Sequence, residues 1–152
     1  MTNKIYFEDI KIGDAMPTFT SDPITRTHMC RYAGASGDFN PIHHDETFVA
    51  MFGMPRVIVH GMLIMGITSR AITEWIDNKY LKNFKVRFSG MTEPADLTDA
   101  NTKARATIIV TGNVVKKFAE GGENRIQCDI RVADALGEVK LTGSFIAALP
   151  SK

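Results

Sequence analysis

The sequence has little cysteine, no excess of charge of either sign, and no repeat. Its 152 residues include only two cysteines, Cys30 and Cys128, which lie far apart and in no metal-binding spacing. This pattern predicts free buried thiols and a reducing, cytoplasmic location. Lysine and arginine total 18 against 17 aspartates and glutamates, for a net charge of +1. Nucleic-acid binding is not expected, because it normally requires a basic excess.

Long hydrophobic runs are absent as well. The longest apolar stretch, residues 57–67, is interrupted by His60 and is shorter than the roughly 20 residues that a membrane helix needs. Residues 1–9 lack the apolar segment of a signal peptide. We therefore expect no membrane partner, and one soluble domain over residues 1–152 that is large enough to bury a core.

The second half of the chain has the pattern of an antiparallel sheet. Residues 125–132 alternate polar and apolar side chains, residues 85–88 and 139–145 do the same, and residues 104–116 are rich in β-branched side chains. Turn residues at 120–123 and 134–137 predict hairpins between these strands. The polar stretch 92–102, which contains Pro94, is predicted to be a loop.

The first half predicts helices. A strand is expected over residues 7–12, then a helix capped by Thr25 that closes near Gly34 or Gly37, and a short helix over 45–52. Residues 61–76 form the longest helical pattern; its first turns are apolar almost all round, so burial on every side is expected. One buried helix and about five antiparallel strands predict an α+β hotdog fold, a sheet wrapped around a central helix.

Chemistry is concentrated near Asp38 and His43. A continuous helix would separate two residues five apart by about 140°, but Pro41 is incompatible with such a helix. A compact turn could place the carboxylate beside the imidazole, and the two could then act on a shared water as general acid and base. The alternative is a surface turn with Asp38 accepting local hydrogen bonds and His43 solvated. Taken alone, this second interpretation is favoured, since such pairs arise often by chance.

A second candidate element is the helix start at Gly61. The first N–H groups of a helix are free, and the helix dipole favours negative charge there. A glycine would let a substrate oxygen approach its N–H, as an oxyanion site requires. Alternatively, Gly61 eases a corner between strand and helix. His60 is interpreted as a hydrogen-bonded structural histidine beside this position.

Together, the stretches YAGASGDFNPIH (residues 32–43) and IVHGML (residues 58–63) resemble the hydratase motif of MaoC-like proteins. These are hotdog-fold (R)-specific enoyl-CoA hydratases and (3R)-hydroxyacyl-ACP dehydratases. The resemblance is dense over residues 24–90, and the segment from Gly61 to Trp75 is most similar to small single-hotdog dehydratases of mycolic-acid-type fatty acid synthesis. It implies one MaoC-like hotdog domain that reversibly hydrates trans-2-enoyl thioesters of CoA or ACP to (3R)-3-hydroxyacyl thioesters, with no metal or other cofactor.

The resemblance also implies roles for individual residues. Asp38 and His43 match the catalytic pair that holds the reacting water, and Gly61 matches the glycine whose N–H binds the thioester oxygen. Three more residues are expected to support the site: Asn40, Ser69 and His60. His44 departs from the family pattern, which often has a larger or apolar residue there, and we expect it at the edge of the pocket.

Other functions compete with this interpretation. Hotdog thioesterases commonly place a carboxylate on the central helix, but residues 61–73 contain none, which favours a hydratase. A non-catalytic acyl-binding subunit of a heterodimeric dehydratase is the other alternative, and the presence of both Asp38 and His43 argues against it. The histidines and Cys30 match no zinc-binding spacing, so no metal site is predicted.

Expected partners follow from the same resemblance. The substrate would be an acyl-CoA or acyl-ACP thioester, and family members commonly dimerise, so a homodimer is expected and a heterodimer is an alternative. A local basic cluster could contact CoA phosphates or an acidic carrier protein, but a solvated strand face is favoured for it. The cluster consists of Lys79, Lys82, Lys85 and Arg87.

Overall fold

The described part of the protein folds as a five-stranded antiparallel sheet with helices. The computed structural model describes residues 5–96 and 98–152. The strands are β1 (Phe19–Thr20), β2 (Leu81–Phe88), β3 (Ile108–Glu120), β4 (Glu123–Asp134) and β5 (Val139–Leu149). Their order in the sheet is β1-β3-β4-β5-β2.

Four α-helices accompany the sheet in the part of the chain that the structure describes. They are α1 (Arg26–Ser36), α2 (Glu46–Met51), α3 (Gly61–Trp75) and α4 (Ala100–Ala106). Short 3-10 turns lie at Phe7–Asp9, Pro41–His43 and Asn78–Tyr80. Among the described residues, no helix combines the length and the apolar character needed to span a membrane.

The last three strands form two consecutive hairpins, as the sequence predicted. The β3–β4 turn contains Gly121 and Gly122 at φ 60° and 77°, a left-handed region that glycine occupies without steric cost. In contrast, β2 pairs with β5 rather than with β3, the next strand in the chain. This pairing requires Gly143, because a Cβ there would lie 2.0 Å from the Lys85 carbonyl oxygen. It also places β2 at an edge of the sheet.

The core lies between α3 and the sheet. The buried face of α3 includes Ile64 and Ile72, which belong to one hydrophobic cluster with Val110, Ile126 and Phe145. Trp75 meets the Phe145 ring edge-on, with centroids 6.3 Å apart. The predicted α+β hotdog architecture, a sheet around a central helix, is confirmed.

The strand predicted at residues 7–12 is wrong, because this segment contains a 3-10 turn, Phe7–Asp9, and the first strand is β1. The carbonyl oxygens of Phe7 and Ile10 accept hydrogen bonds from the Lys117 ammonium group. These two carbonyl oxygens therefore have hydrogen-bond partners without the backbone pairing of a β-strand.

The loop predicted over residues 92–102 is only partly right. Residues 89–96 and 98–99 are irregular, but α4 begins at Ala100, where the Asp99 carboxylate caps it by accepting from the Asn101 N–H at 2.8 Å. The strand predicted from residue 104 consequently begins later, at Ile108.

Two predictions of burial are also wrong. The central helix is not buried on every side: Met62 is 55% exposed, and Gly66 and Arg70 are exposed too. The sheet covers only one face of α3 in the single chain. Cys30 is exposed on α1, whereas Cys128 is buried as expected.

Candidate active site

A compact turn follows α1 and carries the predicted catalytic pair. Gly37 ends the helix at φ 74°, which turns the chain sharply. Side chains then accept backbone N–H groups two residues ahead: Ser36 from Asp38 at 3.2 Å, Asp38 from Asn40 at 3.3 Å, and Asn40 from Ile42 at 3.2 Å. These bonds satisfy the backbone without a continuous helix.

The turn brings Asp38 and His43 to the same side. The distance from Asp38 Oδ2 to His43 Nε2 is 3.7 Å, too long for a direct hydrogen bond. One water molecule could bond to both atoms at this separation. The His43 side chain is 9% exposed and that of Asp38 46% exposed, so the imidazole is enclosed while the carboxylate remains accessible.

The tautomer of His43 follows from its other ring nitrogen. Nδ1 lies 2.7 Å from the Ile58 carbonyl oxygen. A carbonyl can only accept, so Nδ1 must carry the proton. In the neutral tautomer that this bond selects, Nε2 is the nitrogen without a proton and lies towards Asp38, as a general base requires.

His60 lies directly against this pair. It is 1% exposed, its Nε2–H donates to the Asp38 carbonyl oxygen at 3.1 Å, and its ring stacks on that of His43 with centroids 3.8 Å apart. Burial lowers the pKa of His60 below its usual value, as does the positive charge of His43 when that residue is protonated, against the opposing effect of Asp38. His60 is consequently neutral at neutral pH.

Gly61 is the first residue of α3. Within the described residues, its N–H donates to no acceptor, as is normal at a helix start. A Cβ at this position would lie 3.2 Å from Cε1 of Phe88, so the absence of a side chain lets the Phe88 ring pack beside this residue. The group has the properties of an oxyanion donor.

A cavity of about 260 Å³ is bordered by His43, whereas neither Asp38 nor Gly61 belongs to its lining. Its apolar lining includes Met29 and Ala33 of α1, together with Phe39 and Val57. His43, His44 and His60 face it as well. His44 is exposed, and its Nε2 lies 3.1 Å from the Phe39 carbonyl oxygen. This contact places His44 at the pocket edge.

Ser69 is the predicted supporting residue that the structure does not bring to the pair. Its hydroxyl donates to the Met65 carbonyl within α3 at 3.0 Å. Along the helix axis it lies about 12 Å from Gly61, at about 1.5 Å per residue. It does not line the cavity.

The arrangement suits a water molecule better than a metal ion. Asp38, His43 and His60 do offer ligand atoms within 4.8 Å of one another. However, the two imidazoles are stacked at an interplanar angle of 24°, so their in-plane lone pairs do not converge on one point. Metal coordination requires that convergence.

Half of the predicted basic cluster is neutralised. Lys79 pairs with Asp77 at 3.0 Å and Lys82 with Glu123 at 2.6 Å. Lys85 and Arg87 are exposed on β2, and neither forms an ion pair within the described part of the chain.

The cavity lining on α1 was missed by the reasoning from sequence. Met29 and Ala33 are spaced i, i+4 and share one face of the helix, but that pattern is equally typical of core packing. Nothing in the local sequence indicated that this face would border a cavity beside His43.

The fold and the two motifs define a MaoC-like hotdog domain. The family model described as "MaoC like domain" matches residues 9–123, and the chain therefore belongs to this family. The R-hydratase PhaJ1 from Pseudomonas aeruginosa shares the fold, with a TM-score of 0.78 and 23% identity over 98% of this chain and 88% of that one. The ChsH1–ChsH2 complex from Mycobacterium tuberculosis matches with a TM-score of 0.71 and 19% identity, over 91% and 98% of the two chains.

A sequence relative is also an enzyme by name. The enoyl-CoA hydratase ChsH3 of Mycobacterium tuberculosis is 35% identical over 68 residues, which are 43% of this chain and 24% of the relative. The chain spans between 4% and 29% of the length of the curated relatives that it matches.

Proposed function

We propose that the protein catalyses the reversible hydration of trans-2-enoyl thioesters to (3R)-3-hydroxyacyl thioesters. The observation that carries this proposal is the 3.7 Å separation of Asp38 Oδ2 and His43 Nε2, with Nδ1 of His43 donating to the Ile58 carbonyl oxygen, close to the start of α3. The names of the enoyl-CoA hydratase and R-hydratase relatives support the reaction class and the stereochemistry.

Activation of the substrate is assigned to Gly61. The thioester carbonyl accepts a hydrogen bond from its N–H, and the positive end of the α3 dipole adds to the stabilisation of the enolate-like oxygen that develops. This withdraws electron density from C3, the carbon that water attacks.

Water addition is assigned to the Asp38–His43 pair. The two groups hold the water between them, and its oxygen adds to C3 while its proton passes to the pair. The pair then delivers a proton to C2, which converts the enolate into the hydroxyacyl thioester. The net change is the addition of one water molecule, and the reverse sequence dehydrates the hydroxyacyl thioester.

The acyl chain is assigned to the apolar cavity beside His43. Its lining provides an apolar surface on which alkyl groups can be removed from water, and this surface includes Met29, Ala33, Phe39 and Val57. Lys85 and Arg87 remain available for the phosphates of a CoA or ACP carrier. Rates with matched CoA and ACP thioesters distinguish the two carriers.

A second subunit is expected on the β2 side of the molecule. β2 forms an edge of the described sheet, and edges are normally paired or covered. Phe88 at its end is 45% exposed, and its ring adjoins Gly61. We therefore propose a homodimer, with a heterodimer as the alternative suggested by the ChsH1–ChsH2 complex; a monomer by light scattering would contradict both. The cytoplasmic location stays a prediction.

The test of function is a hydration assay with the purified protein. Crotonyl-CoA, longer enoyl-CoA esters and the matching ACP thioesters serve as substrates, and the product is resolved by chirality. Asp38→Asn and His43→Ala should each lower kcat by about 10²- to 10⁴-fold. The exposed Asp22→Asn is the matched control and should be as active as the wild type.

The outcomes of this assay are separable. If the wild-type protein is inactive on every thioester, the proposed reaction is wrong, and release of a free thiol would instead indicate a thioesterase. If both site variants retain normal rates, the reaction stands but the site assignment is wrong. Glu74, the acidic residue of α3, gives no support to a thioesterase, because it is exposed and pairs with Arg70 at 2.8 Å.

A further inference from the structure

We infer that His60 is a positioning residue, which holds Asp38 and His43 in a fixed arrangement relative to the Gly61 N–H. This inference rests on the proposed function. It assigns His60 no direct contact with the substrate and no proton transfer.

His60 contacts both members of the pair through different parts of its ring. Its Nε2–H donates to the Asp38 carbonyl oxygen at 3.1 Å, and its face stacks on His43 at 3.8 Å. Asp38 and His60 are 22 residues apart in the chain, so this hydrogen bond closes a long loop. Loss of the bond would release the turn that carries the carboxylate.

His60 also connects the pair to the oxyanion donor. It is the N-cap residue of α3, but its side chain makes no capping bond to the helix, although N-cap side chains commonly do so. The side chain is instead committed to Asp38, and the next residue along the backbone is Gly61. One rigid residue therefore relates all three proposed catalytic groups.

The imidazole is held in one orientation and one charge state. Tyr32 of α1 meets the ring of His60 edge-on, with centroids 5.0 Å apart. Nδ1 is buried and has no hydrogen-bond partner within residues 5–96 and 98–152. If His60 gained a second proton, that proton would lie on Nδ1, where no acceptor is available. It would also place a second positive charge beside His43 whenever His43 is protonated.

Two substitutions separate positioning from simple packing. His60→Phe preserves an aromatic face and removes the unpartnered Nδ1, but it cannot donate to Asp38. His60→Gln retains an N–H donor and loses the stacking. The control is His28→Gln on the surface of α1, where glutamine can replace His28 in the capping box with Thr25.

In the hydration assay, His60→Phe should lower kcat by about 10- to 100-fold, the loss associated with misplacing catalytic groups by about 1 Å. KM should remain within about threefold and the thermal midpoint close to that of the wild type. His60→Gln should recover part of the lost kcat, and His28→Gln should match the wild type.

The contrary results are distinct. An active wild-type protein together with a His60→Phe variant of unchanged kcat overturns the inference and leaves the proposed function standing. A loss of kcat that only follows the folded fraction, measured by circular dichroism, overturns it as well, because the role would then be structural. If His60→Phe does not fold, the test uses His60→Gln alone. Positioning predicts that this variant changes kcat more than KM, and equal changes in kcat and KM contradict positioning. An inactive wild-type protein contradicts the proposed function itself.

Discussion

The assignment of Gly61 as oxyanion donor can be tested by removing a single N–H group. Proline at the first position of a helix is well tolerated, since its missing N–H has no partner there and its φ suits the helix. His60 has φ −55° and ψ 122°, which is compatible with a residue that precedes proline. Gly61→Pro should therefore fold without the proposed donor, with the ring Cδ in place of the amide hydrogen.

Gly61→Ala is the matched control, because it adds a Cβ but keeps the N–H. In both variants the Cβ would lie 3.2 Å and 3.3 Å from Cε1 and Cδ1 of Phe88, a few tenths of an ångström too close. Phe88 is 45% exposed, so its ring can move. A cost of about 1 kcal/mol would lower the melting temperature by only about 2–4 °C.

The expected difference lies in catalysis. Loss of one oxyanion donor typically costs about 10²- to 10³-fold in kcat, or about 2.7–4 kcal/mol. Gly61→Pro should thus be at least about 100-fold slower than Gly61→Ala in enoyl-thioester hydration, at similar thermal stability. Equal rates in the two variants would refute the role of the N–H. If both variants were equally slow compared with the wild type, Gly61 would provide open space rather than a donor.

Three further predictions concern the rest of the chain. Burial raises the pKa of Cys128 to about 12, so the native protein should react with a thiol reagent only at exposed Cys30, and two rapid equivalents would contradict this. Lys140→Met should cost about 3–5 kcal/mol in urea unfolding, because it strands the buried Asp134 carboxylate 3.1 Å away; a cost below about 1 kcal/mol would refute that. Because the pKa of His60 is lowered on folding, the unfolded state gains its proton first below about pH 6.5, and stability should fall there by up to about 1.36 kcal/mol per pH unit. His60→Phe should remove this part of the slope, and an unchanged slope would contradict its origin.

Much of the fold was predictable because it depends on local chemistry. Thr25 and Gly37 delimit α1, Asp45 caps α2, and the glycines at 121 and 122 close the β3–β4 hairpin. The failures have long-range causes. Lys117 satisfies the backbone of residues 7–10 from more than 100 positions away, and no local pattern indicates that.

The sequence by itself determined that Asp38 and His43 share a turn, because Gly37, Asn40 and Pro41 act only on their immediate neighbours. It also determined that a helix starts at Gly61. Only the tertiary structure decided how these two parts meet, since the contact between His60 and the Asp38 carbonyl joins residues that no local preference relates. The cavity between α1 and the turn, the exposed face of α3, and the edge position of β2 were decided in the same way. Each depends on how separate elements pack, and packing is settled by the shapes and distances of the whole chain.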